Sequence, residues 1–168
     1  MNGATIGAVI GAVFGSLWSI AGATALPRRW RACTGALGIG ISTVLVGALV
    51  EFGARGRPGK FDGEVYGYAV LLEVACIVAA IAVLRRTARM QMAPSAIAFI
   101  VGLHFLGLWK ATGSSTFIWV AAAICFLSAW SVLLQGPRQA GDGTDPRRAL
   151  VGLGCAVVLW LAAAAALV

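Results

Sequence analysis

Apolar residues along this chain gather into long runs, and polar residues are confined to short patches between them. A helix that crosses a bilayer needs about 20 predominantly apolar residues. Six segments meet that need: 4–26, 33–52, 65–84, 93–110, 116–135 and 149–168. The breaks are Pro27-Arg28-Arg29-Trp30-Arg31, Gly53 to Glu64, Arg85-Arg86-Thr87-Ala88-Arg89, Lys110 to Ser115, and Gln135 to Arg148. Gly, Pro and charge mark most of these as chain reversals. The narrowest is Lys110-Ala111-Thr112-Gly113-Ser114-Ser115, which alone separates the fourth run from the fifth. The pattern predicts an all-α polytopic membrane protein, a compact bundle of about six transmembrane helices, with residues 1–168 forming one integral membrane domain.

Composition agrees. Of the 168 residues 60% are hydrophobic and only 11% charged, against about 25% charged in a soluble domain. The net charge of +7 comes from 13 Lys and Arg against 6 Asp and Glu. Nucleic-acid binding would gather the basic residues on one solvated face. Here they sit in the connections, where membrane topology and anionic headgroups account for them. Membrane lipids are therefore the expected partner and nucleic acid is not. Connections one, three and five carry nine basic residues (Arg28, Arg29, Arg31, Arg85, Arg86, Arg89, Arg138, Arg147 and Arg148) against four on the other side (Arg55, Arg57, Lys60 and Lys110). The positive-inside rule then predicts an inner-membrane protein with both termini outside and the arginine-rich connections in the cytoplasm. The first run reads as a span rather than a signal peptide, since no Lys or Arg precedes it and three Arg follow it.

Gly3, Gly7, Gly11 and Gly15 recur at every fourth position and line one face of the first helix. Such a face lets a second backbone approach closely, as in a glycine zipper. The second helix carries a less regular counterpart in Ala36, Gly40, Thr43 and Gly47, and is the expected neighbour. Trp30, Trp109, Trp119, Tyr66 and Tyr68 fall near the ends of runs, as an aromatic belt requires. Trp18, Trp130 and Trp160 fall deeper, where packing is expected. Cys33, Cys76, Cys125 and Cys155 lie in four different runs without metal or disulfide spacing and read as small buried residues.

The candidate chemistry rests on Glu73 and His104, each of which interrupts an apolar run. Ionisable side chains at bilayer depth are costly, and they usually face protein or water. Glu73 lies two residues to the outer side of the third run's midpoint, and His104 two or three to the outer side of the fourth's. At 1.5 Å per residue both reach similar depth, so adjacent antiparallel helices could bring them together. Ala69, Cys76 and Ala80 on the Glu73 face, and Gly107 one turn beyond His104, suit a packed interface. Ser42, Thr43, Ser128 and Ser131 are candidates to line the same cavity, expected to open to the outer face, although such hydroxyls often bond back to their own helix.

Other chemistries are excluded or unsupported. Ala54-Arg55-Gly56-Arg57-Pro58-Gly59-Lys60-Phe61 has Phe61 where a phosphate loop needs Ser or Thr, and no strand precedes it. There is no HExxH, GxSxG or Cys/His cluster. A single histidine excludes a bis-histidine haem within one chain and leaves only one shared between subunits. No cofactor is implied. The expected function is a small transporter or channel-like permease with an intramembrane Glu/His pair handling protons or ions. The alternatives are an intramembrane acid–base enzyme acting on a lipid-soluble substrate, and a non-catalytic subunit of a larger membrane complex. Homo-oligomerisation is expected because so small a bundle leaves little room for a private cavity.

Overall fold

A computed structural model describes residues 3–54, 61–133 and 144–168. Six α-helices, each long and apolar enough to cross a membrane, make up almost all of it: α1 Gly3–Ala23, α2 Arg28–Phe52, α3 Gly63–Arg86, α4 Ala93–Thr112, α5 Thr116–Leu133 and α6 Pro146–Ala165. A 3₁₀ turn at Met90–Met92 precedes α4. Six such helices mark the chain as an integral membrane protein by their length and composition. The helices fall on the six apolar runs with ends shifted by a few residues, most at α2, which begins at Arg28 and so contains the arginine cluster in its first turn. Pro27 supplies the extended residue from which that helix starts, and the Arg31 Nε donates back to the Leu26 carbonyl at 2.8 Å. A turn of only a few residues then suffices between α1 and α2.

The helix ends are set by local chemistry. Asp62 caps α3 by accepting from the Glu64 and Val65 amides, both at 3.1 Å. Asp145 caps α6 in the same way through Arg147 and Arg148, both at 3.1 Å, with Pro146 at the first helical position. These caps satisfy amides that the helix itself cannot. The short break between α4 and α5 is real, because Gly113 takes φ 73° and ends α4 by donating its amide to the Trp109 carbonyl. Few residues other than glycine occupy that conformation without cost.

Helices α1, α4, α5 and α6 form the centre, with the most extensive interface between α1 and α6. Helix α2 packs on α1 and touches α6, and α3 packs on α4. Their burial differs accordingly: α1 has ten buried residues, α2 three and α3 none. One apolar core joins α4, α5 and α6 through Phe105, Leu108, Ile124, Val151, Cys155 and Leu159. A second, smaller one joins α1, α2 and α6 through Ala8, Ala12, Leu49 and Ala163. Lipid is as apolar as these side chains, so the bundle is held by close packing and internal hydrogen bonds rather than by exclusion of water.

The glycine face of α1 is buried, but its partner is not α2. Gly7 faces Phe117 and Thr112, Gly15 faces the Trp160 indole, and Gly22 lies backbone to backbone against Gly152 on α6. Helix α2 instead uses the neighbouring face of α1, where Gly38 meets the Ser19 side chain and Ser42 Oγ donates to the Ala12 carbonyl at 2.7 Å. Gly40 and Gly47, expected to form the matching face of α2, have nothing within 4 Å of a Cβ built on them. Along the stripe itself Gly7 meets α5 and the end of α4, and Gly11 and Gly15 meet Leu159 and Trp160 of α6; the backbone-to-backbone approach of Gly22 to Gly152 lies beyond it.

Two further expectations need correction. Trp130 lies deep along the chain yet faces outward, stacked on Phe126 with ring centroids 6.0 Å apart. Cys33 and Cys76 are exposed on helix surfaces, and only Cys155 is fully buried. The phosphate-loop-like stretch and Arg138 fall largely or wholly outside the described residues.

Candidate functional site

Glu73 and His104 meet across the α3–α4 interface, with Glu73 Oε2 3.3 Å from His104 Nδ1. Their side chains are 11% and 7% exposed, although α3 as a whole is peripheral. The reason is local. Gly107 on α4 has no side chain, so Ala69 of α3 sits where a Cβ would come within 2.5 Å. Ala69 lies one turn from Glu73 and Gly107 nearly one turn from His104, so this close approach draws the acid onto the imidazole. Of the small residues expected on the same interface, Cys76 points away and is exposed.

The pair is close without being a well-formed hydrogen bond, since His104 Nδ1 is buried and has no hydrogen-bond partner in suitable geometry. Two aromatic rings fix the imidazole. Tyr66 stands edge-on to it with centroids 5.5 Å apart, and Phe105 does so at 6.1 Å. A small rotation of the carboxylate would complete an N–H···O bond. A buried polar atom without a well-formed partner calls for an explanation, and the polar group beside this one is the Glu73 carboxyl.

The four hydroxyls proposed to line the same cavity do not reach it. Ser42 belongs to the α1–α2–α6 junction, where it also accepts from Trp160 Nε1 at 2.9 Å. Thr43 is exposed and bonds back to Ile39 at 2.9 Å. Ser131 bonds Ser95 of α4 at 2.7 Å and the Ser128 carbonyl at 2.6 Å, and Ser128 Oγ donates to the Ser95 carbonyl. These two serines clamp α5 onto α4, with Ser95 as the partner that sequence reading passed over. Ser42, Ser128 and Ser131 join helices and Thr43 bonds only within its own, because a hydroxyl in an apolar layer must find an acceptor nearby.

Two sizeable cavities do enter the bundle, so one chain has room for its own and the stated reason for expecting an oligomer falls away. The first, about 580 Å³, opens on the side of the termini between the start of α1 and α5 and the ends of α4 and α6. Gly7, Gly11, Phe105 and Leu159 line its inner wall, and Thr112, Ser114, Ser115 and Thr116 bring hydroxyls to its mouth. The second, about 590 Å³, opens on the side of the arginine-rich connections between α1, α3, α4 and α6. Glu73 lies at its inner end with Phe14 and Val101, and Arg148 and Met90 lie at its mouth. The acid therefore faces the arginine side, not the outer face that its depth suggested.

The two cavities approach each other along α1 and α4. Gly11 in one and Phe14 in the other are three positions apart, and Phe105 and Val101 are four apart. At 1.5 Å per residue that leaves about one helical turn of closed packing between them. Phe105 and Cys155, 2% and 0% exposed, fill that layer. His104 is the chain neighbour of Phe105 and Glu73 borders the second cavity, so the pair stands at the level of the closed layer.

Among the described residues no group of three or more His, Cys, Asp or Glu could hold a metal ion. Comparison with protein-family models, with curated proteins and with solved structures returns no match. The residues themselves carry the functional argument.

Proposed function

We propose that this chain is a small inner-membrane permease or channel-like transporter in which Glu73 and His104 handle a proton or a cation. The observation that carries the reading is the pair's position beside a closed layer one helical turn thick, with a cavity on either side of it. A transporter needs access from both faces and a barrier between them, and ionisable groups in apolar helices commonly mark ion and proton pathways. In this reading a proton shared between Glu73 and His104 changes the charge on the α3–α4 contact. That change alters how tightly α3 lies on α4 and which cavity Glu73 faces. The arginine-rich connections face the cytoplasm, by the positive-inside rule, and Glu73 is reached from that side.

The test is proton flux into sealed vesicles containing the purified chain and a pH-reporting dye, driven by an imposed membrane potential. The wild type should carry flux; Glu73→Gln and His104→Ala should each abolish it while remaining folded. Their double mutant should be no worse than either single one, because residues acting as a unit are non-additive. The pH profile should report apparent values belonging to the pair. Full flux in Glu73→Gln refutes the assignment.

A second reading is favoured by one observation: Glu73 borders a mostly apolar cavity that a lipid-soluble substrate could enter. The chain would then be an intramembrane enzyme with Glu73 as general acid and His104 as its partner. Turnover of an apolar substrate in detergent, with no gradient, separates it from a transporter.

A further inference from the structure

The cavity on the arginine side is a groove rather than a chamber. Its walls are Phe14, Leu17 and Trp18 of α1 and Ile77 of α3, and its floor is Ile97 and Val101 of α4 with Val151 of α6. Helices α1 and α3 do not pack substantially on each other, so the space between them opens sideways to the bilayer. Leu17, 56% exposed, stands on that edge. Along α4 the groove runs from Ala93 to Val101, about 12 Å at 1.5 Å per residue. That is close to the depth of one leaflet of a hydrocarbon core about 30 Å thick. Arg148 stands exposed at its mouth, and among the described residues no carboxylate lies within ion-pairing distance of its guanidinium. The Asp145 carboxylate beside it is engaged with the amides of the first turn of α6. Arg85 and Arg86 in the last turn of α3 and Arg89 in the α3–α4 connection, all exposed, lie on the same side of the membrane.

A slot one leaflet deep, apolar along its length, open to lipid and cationic at the interface has the dimensions and charge of one lipid. We propose that this groove binds an acyl chain of an anionic phospholipid from the leaflet on the arginine side, its phosphate held at Arg148. The chain end then reaches Glu73, and the lipid covers apolar surface that neither α1 nor α3 covers. Where the protein moves protons or cations, the acyl chain withdraws from the inner end of the groove before Glu73 is reached from that side.

Trp18 in the groove wall supplies the readout. The full chain is reconstituted in phosphatidylcholine vesicles containing equal mole fractions of either brominated-chain phosphatidylglycerol or brominated-chain phosphatidylcholine. Quenching of Trp18 is obtained as the difference between wild type and Trp18→Phe. The brominated anionic lipid should associate about five-fold more strongly, the effect of one arginine facing an anionic headgroup. Arg148→Gln should remove the preference and Arg148→Lys should keep it. Ala21→Phe, which narrows the groove without altering charge, should weaken quenching by the anionic lipid. Equal quenching by both lipids would mean ordinary boundary contact and overturn the proposal. So would a preference that survives Arg148→Gln with Ala21→Phe unchanged, or a Trp18 that neither lipid quenches because a second copy or another protein covers the groove.

Discussion

Adding one methyl group at Gly152 should be among the most damaging small changes in the bundle. A Cβ built there falls on Gly22 Cα, within 2.5 Å of Gly22 N and 2.9 Å of the Trp18 carbonyl oxygen. Ordinary contact needs about 3.5–4.0 Å, so α1 and α6 must part by roughly 1 Å at their crossing. Nothing else can give way, because every atom met is backbone. Overpacking costs about 1–3 kcal/mol, and a rigid backbone neighbour places this case near 3. The alanine returns up to about 1 kcal/mol as a better helix former, leaving a net loss of roughly 2 kcal/mol. Gly40 is the matched control, with nothing within 4 Å of its added Cβ. There the same change should stabilise by about 0.5–1 kcal/mol. Reversible unfolding in mixed detergent, followed by loss of helical circular dichroism, should therefore separate Gly152→Ala from Gly40→Ala by roughly 3 kcal/mol. Equal stability within about 0.5 kcal/mol, the scatter of neutral substitutions, would show that α1 and α6 do not meet backbone to backbone.

Other consequences are as open to test. Ser42→Ala leaves Trp160 Nε1 without its acceptor and should cost about 1–3 kcal/mol, read in the same unfolding assay; an unchanged midpoint would place a different acceptor there. Phe105→Ala removes the largest fully buried side chain from the layer between the cavities and should leak protons through vesicles without responding to Glu73→Gln. A tight, inactive variant would mean that other residues close the layer. In a cysteine-free background, an impermeant thiol reagent outside intact cells should label Ser115→Cys but not Thr87→Cys, both exposed positions; the opposite pattern reverses the orientation. Thr112, although close to Ser115, is buried and unsuitable for this measurement.

The number of helices and nearly all their limits were legible because apolar length is a strong signal and few alternatives compete with it. The approach of Glu73 to His104 was legible from depth arithmetic, since a short connection forces α3 and α4 to be antiparallel neighbours. Helix neighbours across the bundle were not legible. The α1 glycine stripe states that something comes close, yet its partners Phe117 and Trp160, and Gly152 opposite Gly22 beyond it, carry no repeat that would single them out. Hydroxyl destinations were equally hidden: Ser95 and Ser131 lie 36 positions apart, and only the α4–α5 packing angle brings them together. The cavity entrances also escaped sequence reading. Arg148 reads as an ordinary topology signal, and Ser114 and Ser115 as a turn, until the helices around them are arranged. Ala8, which on spacing alone lies beside the glycine stripe, proves to be buried in the second core.

Helix α3 has no buried residue and leans on α4 alone, so most of its perimeter is defined by acyl chains rather than by protein. Its tilt is then a mechanical quantity of the bilayer. A thinner or thicker hydrocarbon layer tips a long apolar helix at a cost of only fractions of a kcal/mol per ångström. Such a tip pivots α3 about the point where Ala69 enters the notch at Gly107, and it changes the separation between Glu73 and His104. Membrane thickness would thereby act on the Glu73–His104 contact.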